Sequence, residues 1–384
     1  MKMRLMLPVI ALLLAAFFAT SQETYKEVKP VADKLTFTGK SFYPVKQFPH
    51  SFKGKKPKNV ILMIGDGMGT AHVFAGITAN GGHLFLDNFK HAGFSKTQSA
   101  DKYITDSAAG GTALSTGVRT YNGAIGVDVN QKPLKTILED AEEKQLSTGL
   151  VSSSAITHAT PASFIAHQGA RGSYEAIAAD FLHTDVDVFI GGGYKHFANR
   201  QDGQDLIREL KARGYAVLQD MNEIVKVNSG KLAGLTAPEH NDRVTKRGDM
   251  LPKATQTAIN ILKNNKKGFF LMVEGSMIDW GAHANDAQYT VEEMLDFDQT
   301  IGVALEFAAR DRETLIIVTA DHETGGLIDA DGDFKTGGFT AKFSSTDHTA
   351  VMVPLFAYGP GAEHFGGIMN NTDIHQKIKQ LLIK

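Results

Sequence analysis

Asn59-Val60-Ile61-Leu62-Met63-Ile64-Gly65-Asp66-Gly67-Met68-Gly69 joins an unbroken apolar run to an acid set between glycines. A short continuous run closed by a turn reads as a strand buried on both faces, the pattern of a parallel sheet covered by helices. Asp66 then stands at a strand's carboxyl end, although Gly-Asp-Gly alone also describes a turn residue or a helix N-cap. The same construction returns at Phe269-Phe270-Leu271-Met272-Val273, ending in Glu274, and at Leu315-Ile316-Ile317-Val318-Thr319, ending in Asp321-His322. Helical periodicity is read over residues 134–144, 174–182, 206–213, 251–263 and 291–309, so strands and helices alternate as in βαβ units. The expected fold is α/β, with a central, mostly parallel sheet flanked by helices. Ligands of such sheets bind beyond the carboxyl ends of the strands, where the three acids are expected to converge.

The chain has 384 residues with 42% hydrophobic content, enough for a sizeable core. It begins Met1-Lys2-Met3-Arg4, runs almost wholly apolar from Leu5 to Ala19, and reaches Thr20-Ser21-Gln22. Basic start, apolar run and small residues describe a secretory signal with cleavage near Ser21. The run is shorter than the roughly 20 residues of a spanning helix, so no membrane anchor is expected once the signal is removed. Cys is absent, which excludes disulfides and a lipid-bearing thiol. A periplasmic or secreted protein is the expectation. A formal charge of -2 gives no basic footprint for nucleic acid, and the partner is read as a small molecule. Residues 1–21 are thus the signal, 22–57 a polar lead-in without a core of its own, and 58–384 a single domain with insertions. Residues 194–250 are more polar, with short helical patterns, and receive no function from the sequence.

Tyr103-Ile104-Thr105-Asp106-Ser107-Ala108-Ala109-Gly110-Gly111-Thr112 places an acid before a run of small residues that can open a helix. Asp106 reads as its N-cap and Ser107 as a first-turn residue, where unpaired N–H groups and the positive helix end favour an anion. An ordinary capped helix has the same local pattern, so the weight lies on the residues elsewhere in the chain. Between Val151 and Phe164 a strand is expected to end near Ser152, with Thr160 capping a helix whose first turn holds Pro161. In Val273-Glu274-Gly275-Ser276-Met277-Ile278-Asp279-Trp280-Gly281-Ala282-His283, Asp279 and His283 stand four apart, on one face if the segment is helical. Asp347-His348-Thr349 precedes a further apolar run, and Asp321-His322 with Asp66 offers more donors. Imidazole nitrogen and carboxylate oxygen suit zinc, and a site left open to water is catalytic. One His among 14 is more often a surface residue than a ligand. Three, each beside or four from an Asp in Gly-rich, strand-adjacent context, indicate a two-metal site.

Taken in order, these residues resemble the bacterial alkaline phosphatases, a secreted, metal-dependent family. The resemblance rests on the Asp66 turn, Asp106-Ser107-Ala108, His158-Ala159-Thr160, Arg171, Glu274 through His283, Asp321-His322-Glu323-Thr324-Gly325-Gly326 and His348-Thr349. It covers about residues 58–361. It implies a three-layer α/β sandwich and hydrolysis of phosphate monoesters with two Zn2+ and one Mg2+ per chain. One zinc would be held by Asp279, His283 and His348, and a second by Asp66, Asp321 and His322 against Ser107. Magnesium would take Asp66, Thr160 and Glu274, with His158 near its water shell. Ser107 would attack phosphorus in line, giving a phosphoserine that zinc-bound hydroxide hydrolyses. Arg171 would hold two phosphate oxygens, oriented by Asp106. Residues 323–347 are too few for the interface domain that some family members insert there, so the resemblance leaves the surface of a homodimer open, and a homodimer is the assembly to test.

Two positions depart from the best-known bacterial pattern: His158 replaces an acid near magnesium, and Trp280 a Lys close to phosphate. The departures predict weaker magnesium and phosphate binding, which magnesium titration and phosphate inhibition of His158→Asp and Trp280→Lys check. Within the superfamily a phosphodiesterase, sulfatase or metal-dependent mutase would share the sheet and much of the metal set, but Ser107 with Arg171 and Glu274 favours monoesters. A secreted phosphate- or metal-binding protein without turnover would have no reason to retain both a nucleophile and a complete ligand set.

Overall fold

The computed structural model describes residues 32–39 and 42–383, so the signal-like start lies outside the described residues. Ten strands make the main sheet: β1 (Asn59–Gly65), β2 (His91–Lys96), β3 (Ser147–Ala155), β4 (Val188–Gly192), β5 (Tyr215–Leu218), β6 (Lys231–Leu235), β7 (Phe269–Gly275), β8 (Thr314–Thr319), β9 (Val353–Tyr358) and β10 (Gly367–Asn370). Their spatial order is β10-β2-β9-β8-β1-β7-β3-β4-β6-β5. Only β9 runs antiparallel to its neighbours, β2 and β8. The remaining pairings are parallel. The helices that concern the site are α1 (Thr70–Ala79), α2 (Ser107–Thr116), α3 (Ala159–Ala162), α4 (Met250–Leu262), α5 (Met277–His283), α6 (Ala287–Asp311) and α7 (Asn371–Leu382).

The run that opens the sequence reading is the sheet's middle, and its side chains alternate between two cores. Val60, Leu62 and Ile64 join Phe270, Met272, Leu315 and Ile317 on one face, closed by α2 and α7 through Ala108, Leu114, Ile374 and Ile378. Ile61 and Met63 join Leu271, Val273, Ile316 and Val318 on the other, closed by α4 and α6 through Leu251, Ile259, Met294 and Ile301. The result is a three-layer α/β sandwich. Each aliphatic side chain so buried is worth about 1.5–3 kcal/mol, and neither face of β1 could turn polar without losing that. Parallel register then levels the strand ends: Ile64 stands opposite Glu274 on one side and Thr319 on the other. Asp66, Glu274 and Asp321 therefore leave three adjacent strands at one edge.

Two stretches differ from their sequence reading. Before Asn59, Thr36–Phe37 pairs with Gly338–Phe343 in a small separate sheet, with Phe37 fully buried. Tyr43 donates its hydroxyl to Asp298 Oδ2 at 2.6 Å, so the lead-in is fastened to α6. Residues 194–250 supply β5 and β6, which end the sheet; strands of four and five residues are too short to show a period in a polar stretch. Among the described residues no helix is long and apolar enough to cross a membrane.

Candidate active site

Asp106 caps α2: its Oδ1 accepts from Ala109 N at 3.0 Å. Ser107 is the first helical residue and wholly buried. Its Oγ lies 3.2 Å from His322 Nε2 and 3.5 Å from Asp66 Oδ1. The small residues of α2 have a steric purpose, because a Cβ on Gly110 would come within 3.0 Å of Asp321 Cβ. Gly67 has φ +73°, and a Cβ there would stand 2.8 Å from Asp279 Cα. Glycine thus lets the Asp66 turn close onto α5.

Overlapping sets of donors meet beside Ser107. Helix α5 brings Asp279 and His283 to one face, as the i, i+4 spacing predicts; His283 Nε2 is 3.4 Å and His348 Nε2 3.7 Å from Asp279 Oδ1. His322 Nε2 lies 3.4 Å from both Asp66 Oδ1 and Asp321 Oδ2. Donor atoms of Asp66, Asp279 and His322 also fall within 4.8 Å of one another, as do those of Asp66, His158 and Glu274. Thr160 is buried in α3, but the helix is capped by His158 rather than by Thr160 as expected. The chain is already helical at Ala159, which leaves the Thr160 hydroxyl for the site; Pro161 does sit in the first turn.

The donors fit divalent cations on three observations. Asp66 Oδ2, Asp279 Oδ2, Asp321 Oδ2, Glu274 Oε1 and Thr160 Oγ1 are buried oxygens with no hydrogen-bond partner, an arrangement costly without a positive charge among them. His283 Nδ1 meets Thr346 O at 2.6 Å and His348 Nδ1 meets Thr105 O at 2.9 Å. A carbonyl only accepts, so both protons sit on Nδ1 and both Nε2 lone pairs face inward, 3.1 Å apart. Two lone pairs at that distance repel unless a cation or proton lies between them. Electrostatics agrees: burial, then the nearby Asp321, Asp279 and Glu274 charges, pushes the Asp66 carboxyl well above its usual range. Burial, then Asp279, raises Asp321, and burial with His348, His283 and Arg171 drives His322 well below the usual imidazole value.

Arg171 donates from Nη1 to Asp106 Oδ2 at 2.9 Å, so one carboxylate caps α2 and aims the guanidinium. Its loop is pinned by Arg171 N to Gly123 O at 2.7 Å and by His167. Both His167 nitrogens face acceptors, Gly126 O at 2.8 Å and Glu139 Oε1 at 3.3 Å. Burial opposes charge on this ring, but the bonds to Glu139 and Gly126 outweigh it and its pKa is raised. Burial likewise opposes Glu139, whose bonds to His167 and Thr136 outweigh it and lower its pKa. The His contribution is complete below the unfolded value of about 6.5 and is lost as pH rises through the folded one; the Glu contribution is lost as pH falls below about 4.5. His167→Ala should therefore cost about 0.5 kcal/mol more near pH 5.5 than near pH 8.5, a figure kept small by solvent screening. Paired thermal melts measure it.

The sequence reading missed several neighbours. Ser152 donates to Glu274 Oε2 at 2.6 Å, and Thr324 donates to Asp279 Oδ1. Ser152-Ser153-Ser154, three hydroxyls within a buried strand, is the signal that could have found the first. His240, from the stretch left without a role, lies with its ring centroid 5.5 Å from that of His158 and 4.8 Å from Trp280.

Residues 57–337 match the alkaline phosphatase family. Alkaline phosphatase 4 of Bacillus subtilis is 38% identical over 82% of this chain and 87% of its own. The structure of alkaline phosphatase from the Antarctic bacterium TAB5 aligns at TM-score 0.82 and 42% identity, covering 85% of this chain and 98% of that one. A His-to-Glu mutant of the TAB5 enzyme, with magnesium bound in its M3 site, aligns at TM-score 0.81 and 41% identity over 86% of this chain and 99% of that one.

Proposed function

We propose, because this chain belongs to the alkaline phosphatase family and is a phosphoric monoester hydrolase, that Ser107 is its nucleophile and becomes transiently phosphorylated. The observation that carries this reading is the position of Ser107 Oγ, buried at the first turn of α2 and 3.2 Å from His322 Nε2. Asp279, His283 and His348 would hold one zinc, Asp66, Asp321 and His322 a second, and Asp66, Thr160 and Glu274, with His158 beside them, a magnesium. Bound there, divalent cations would lower the pKa of the serine hydroxyl and offset charge on the departing oxygen.

The chain's own residues do the rest. Arg171, held by Asp106, grips two oxygens of the phosphate group and sets phosphorus before Ser107 Oγ. First-turn N–H groups of α2 favour the oxyanion form of that hydroxyl. Attack forms the Ser107 oxygen–phosphorus bond and breaks the ester bond, so the alcohol leaves and the phosphoryl group stays on Ser107. Water then cleaves the serine ester, releasing inorganic phosphate and restoring the hydroxyl. Two in-line displacements leave configuration at phosphorus unchanged. Residues 1–21 make this an exported enzyme, periplasmic or secreted, acting on small phosphate monoesters.

Comparing p-nitrophenyl phosphate with bis(p-nitrophenyl) phosphate tests the substrate class. A monoester kcat/KM at least about 100-fold higher is expected, because a diester has only two free oxygens, and once Arg171 holds both, its second ester group stands where the third charged oxygen of a monoester would face the proposed cation sites. Equal rates, or preference for the diester, would move the chain to the phosphodiesterase reading.

A further inference from the structure

Residues 236–241, from the stretch whose sequence suggests no role, bring His240 against the site. Gly193 and Tyr194 donate their N–H groups to Ala237 O, both at 3.0 Å. Asn241 Nδ2 reaches Ser153 O at 3.2 Å, and Thr236 Oγ1 donates to Asn241 Oδ1 at 2.7 Å. With the loop so fastened, Ala155 N–H donates to His240 Nδ1 at 3.1 Å, which assigns the ring proton to Nε2. The imidazole plane is therefore fixed from the end of β3. It meets Trp280 at a centroid distance of 4.8 Å and 89°, and His158 at 5.5 Å and 82°. Trp280 and His158 meet at 6.0 Å and 82°, so the three rings stand mutually edge to face. Tyr174, stacked on His196 at 4.7 Å, approaches His240 at 6.4 Å.

We propose that His240 is a positioning residue: it holds Trp280 and His158 in one arrangement and through them sets the affinity of the site for inorganic phosphate. The inference rests on the reading of the site given above. Trp280 lies on the face of α5 toward His158 and is only partly buried, so ring contacts select its rotamer. His158 Nε2 is 3.4 Å from Arg171 Nη2, and a tilt of the His158 ring is transmitted to the guanidinium. No bond is made or broken by His240.

Trp280 is the chain's only Trp, so its fluorescence reports this cluster independently of turnover. In the metal-loaded enzyme, His240→Ala is expected to lower Trp280 anisotropy and weaken inorganic phosphate binding about tenfold, equivalent to about 1.4 kcal/mol, with kcat falling by less than about threefold. His240→Phe keeps a ring and drops the acceptor; anisotropy should hold and phosphate affinity stay within about threefold of the parent. Unchanged phosphate affinity and anisotropy in His240→Ala overturns the proposal, as does a folded His240→Phe weakened as much as His240→Ala. If His240→Ala does not fold, His240→Asn, which keeps the acceptor without the ring, takes its place against His240→Phe under the same criteria. A parent enzyme that binds no phosphate would instead break the functional reading, while the anisotropy comparison would still judge the ring contacts.

Discussion

Ser107→Ala is expected to lower kcat by at least about 10⁴-fold with the fold intact, because it removes the attacking oxygen and nothing that supports α2. The cap of that helix is Asp106, whose bond to Ala109 N survives the substitution. The cavity left is one oxygen wide, so melting should shift little. KM, which on the proposed mechanism Arg171 and the cation sites set, should change far less than kcat, and steady-state kinetics with circular dichroism separates these effects. A serine that merely began a helix would tolerate the same change with near-normal activity.

Removal of divalent cations by a chelator is the second large effect, and it reaches beyond activity. Asp66, Asp279, Asp321 and Glu274 are all buried, and each has an oxygen without a hydrogen-bond partner. Stripped of positive charge, these groups must repel or take up protons, a cost of roughly 3–5 kcal/mol by analogy with a broken buried pair. For a domain of this size that corresponds to a fall of about 4–7 °C in Tm. Turnover should fall at least about 10³-fold and return with zinc and magnesium together, since the lost charge is aimed at the reacting phosphate. A chelated protein that melts where the loaded one does would mean that the buried oxygens are satisfied some other way.

Much of the site was legible because strand ends and helix spacing are local signals. Asp66, Glu274 and Asp321 each follow an apolar run, and parallel register alone brings such residues to one edge. Asp279 and His283 are four apart on a helix, and Asp106 before small residues is a cap. His348 was readable as a donor before a strand, but the partners of its Nδ1 and Nε2 depend on the two-residue pairing with Thr324 that no period announces. Thr160 was misread as a cap because Thr-Pro commonly opens a helix, whereas here the helix starts at Ala159. His240 left no trace, since its contacts with His158 and Trp280 come from a loop after β6 folded back across the sheet end. The short edge strands β5 and β6 escaped for the related reason that their pairing, not their pattern, makes them strands.

On the proposed mechanism the hydroxyl of Ser107 carries the phosphoryl group between substrate and water. Acid quench of the metal-loaded enzyme during turnover of a monoester labelled in its phosphate, followed by peptide mapping, tests it most directly. Label is expected on the peptide containing Ser107, absent in Ser107→Ala, appearing and decaying fast enough to sustain kcat. Full turnover with no label on that residue, or label on another side chain, would contradict it.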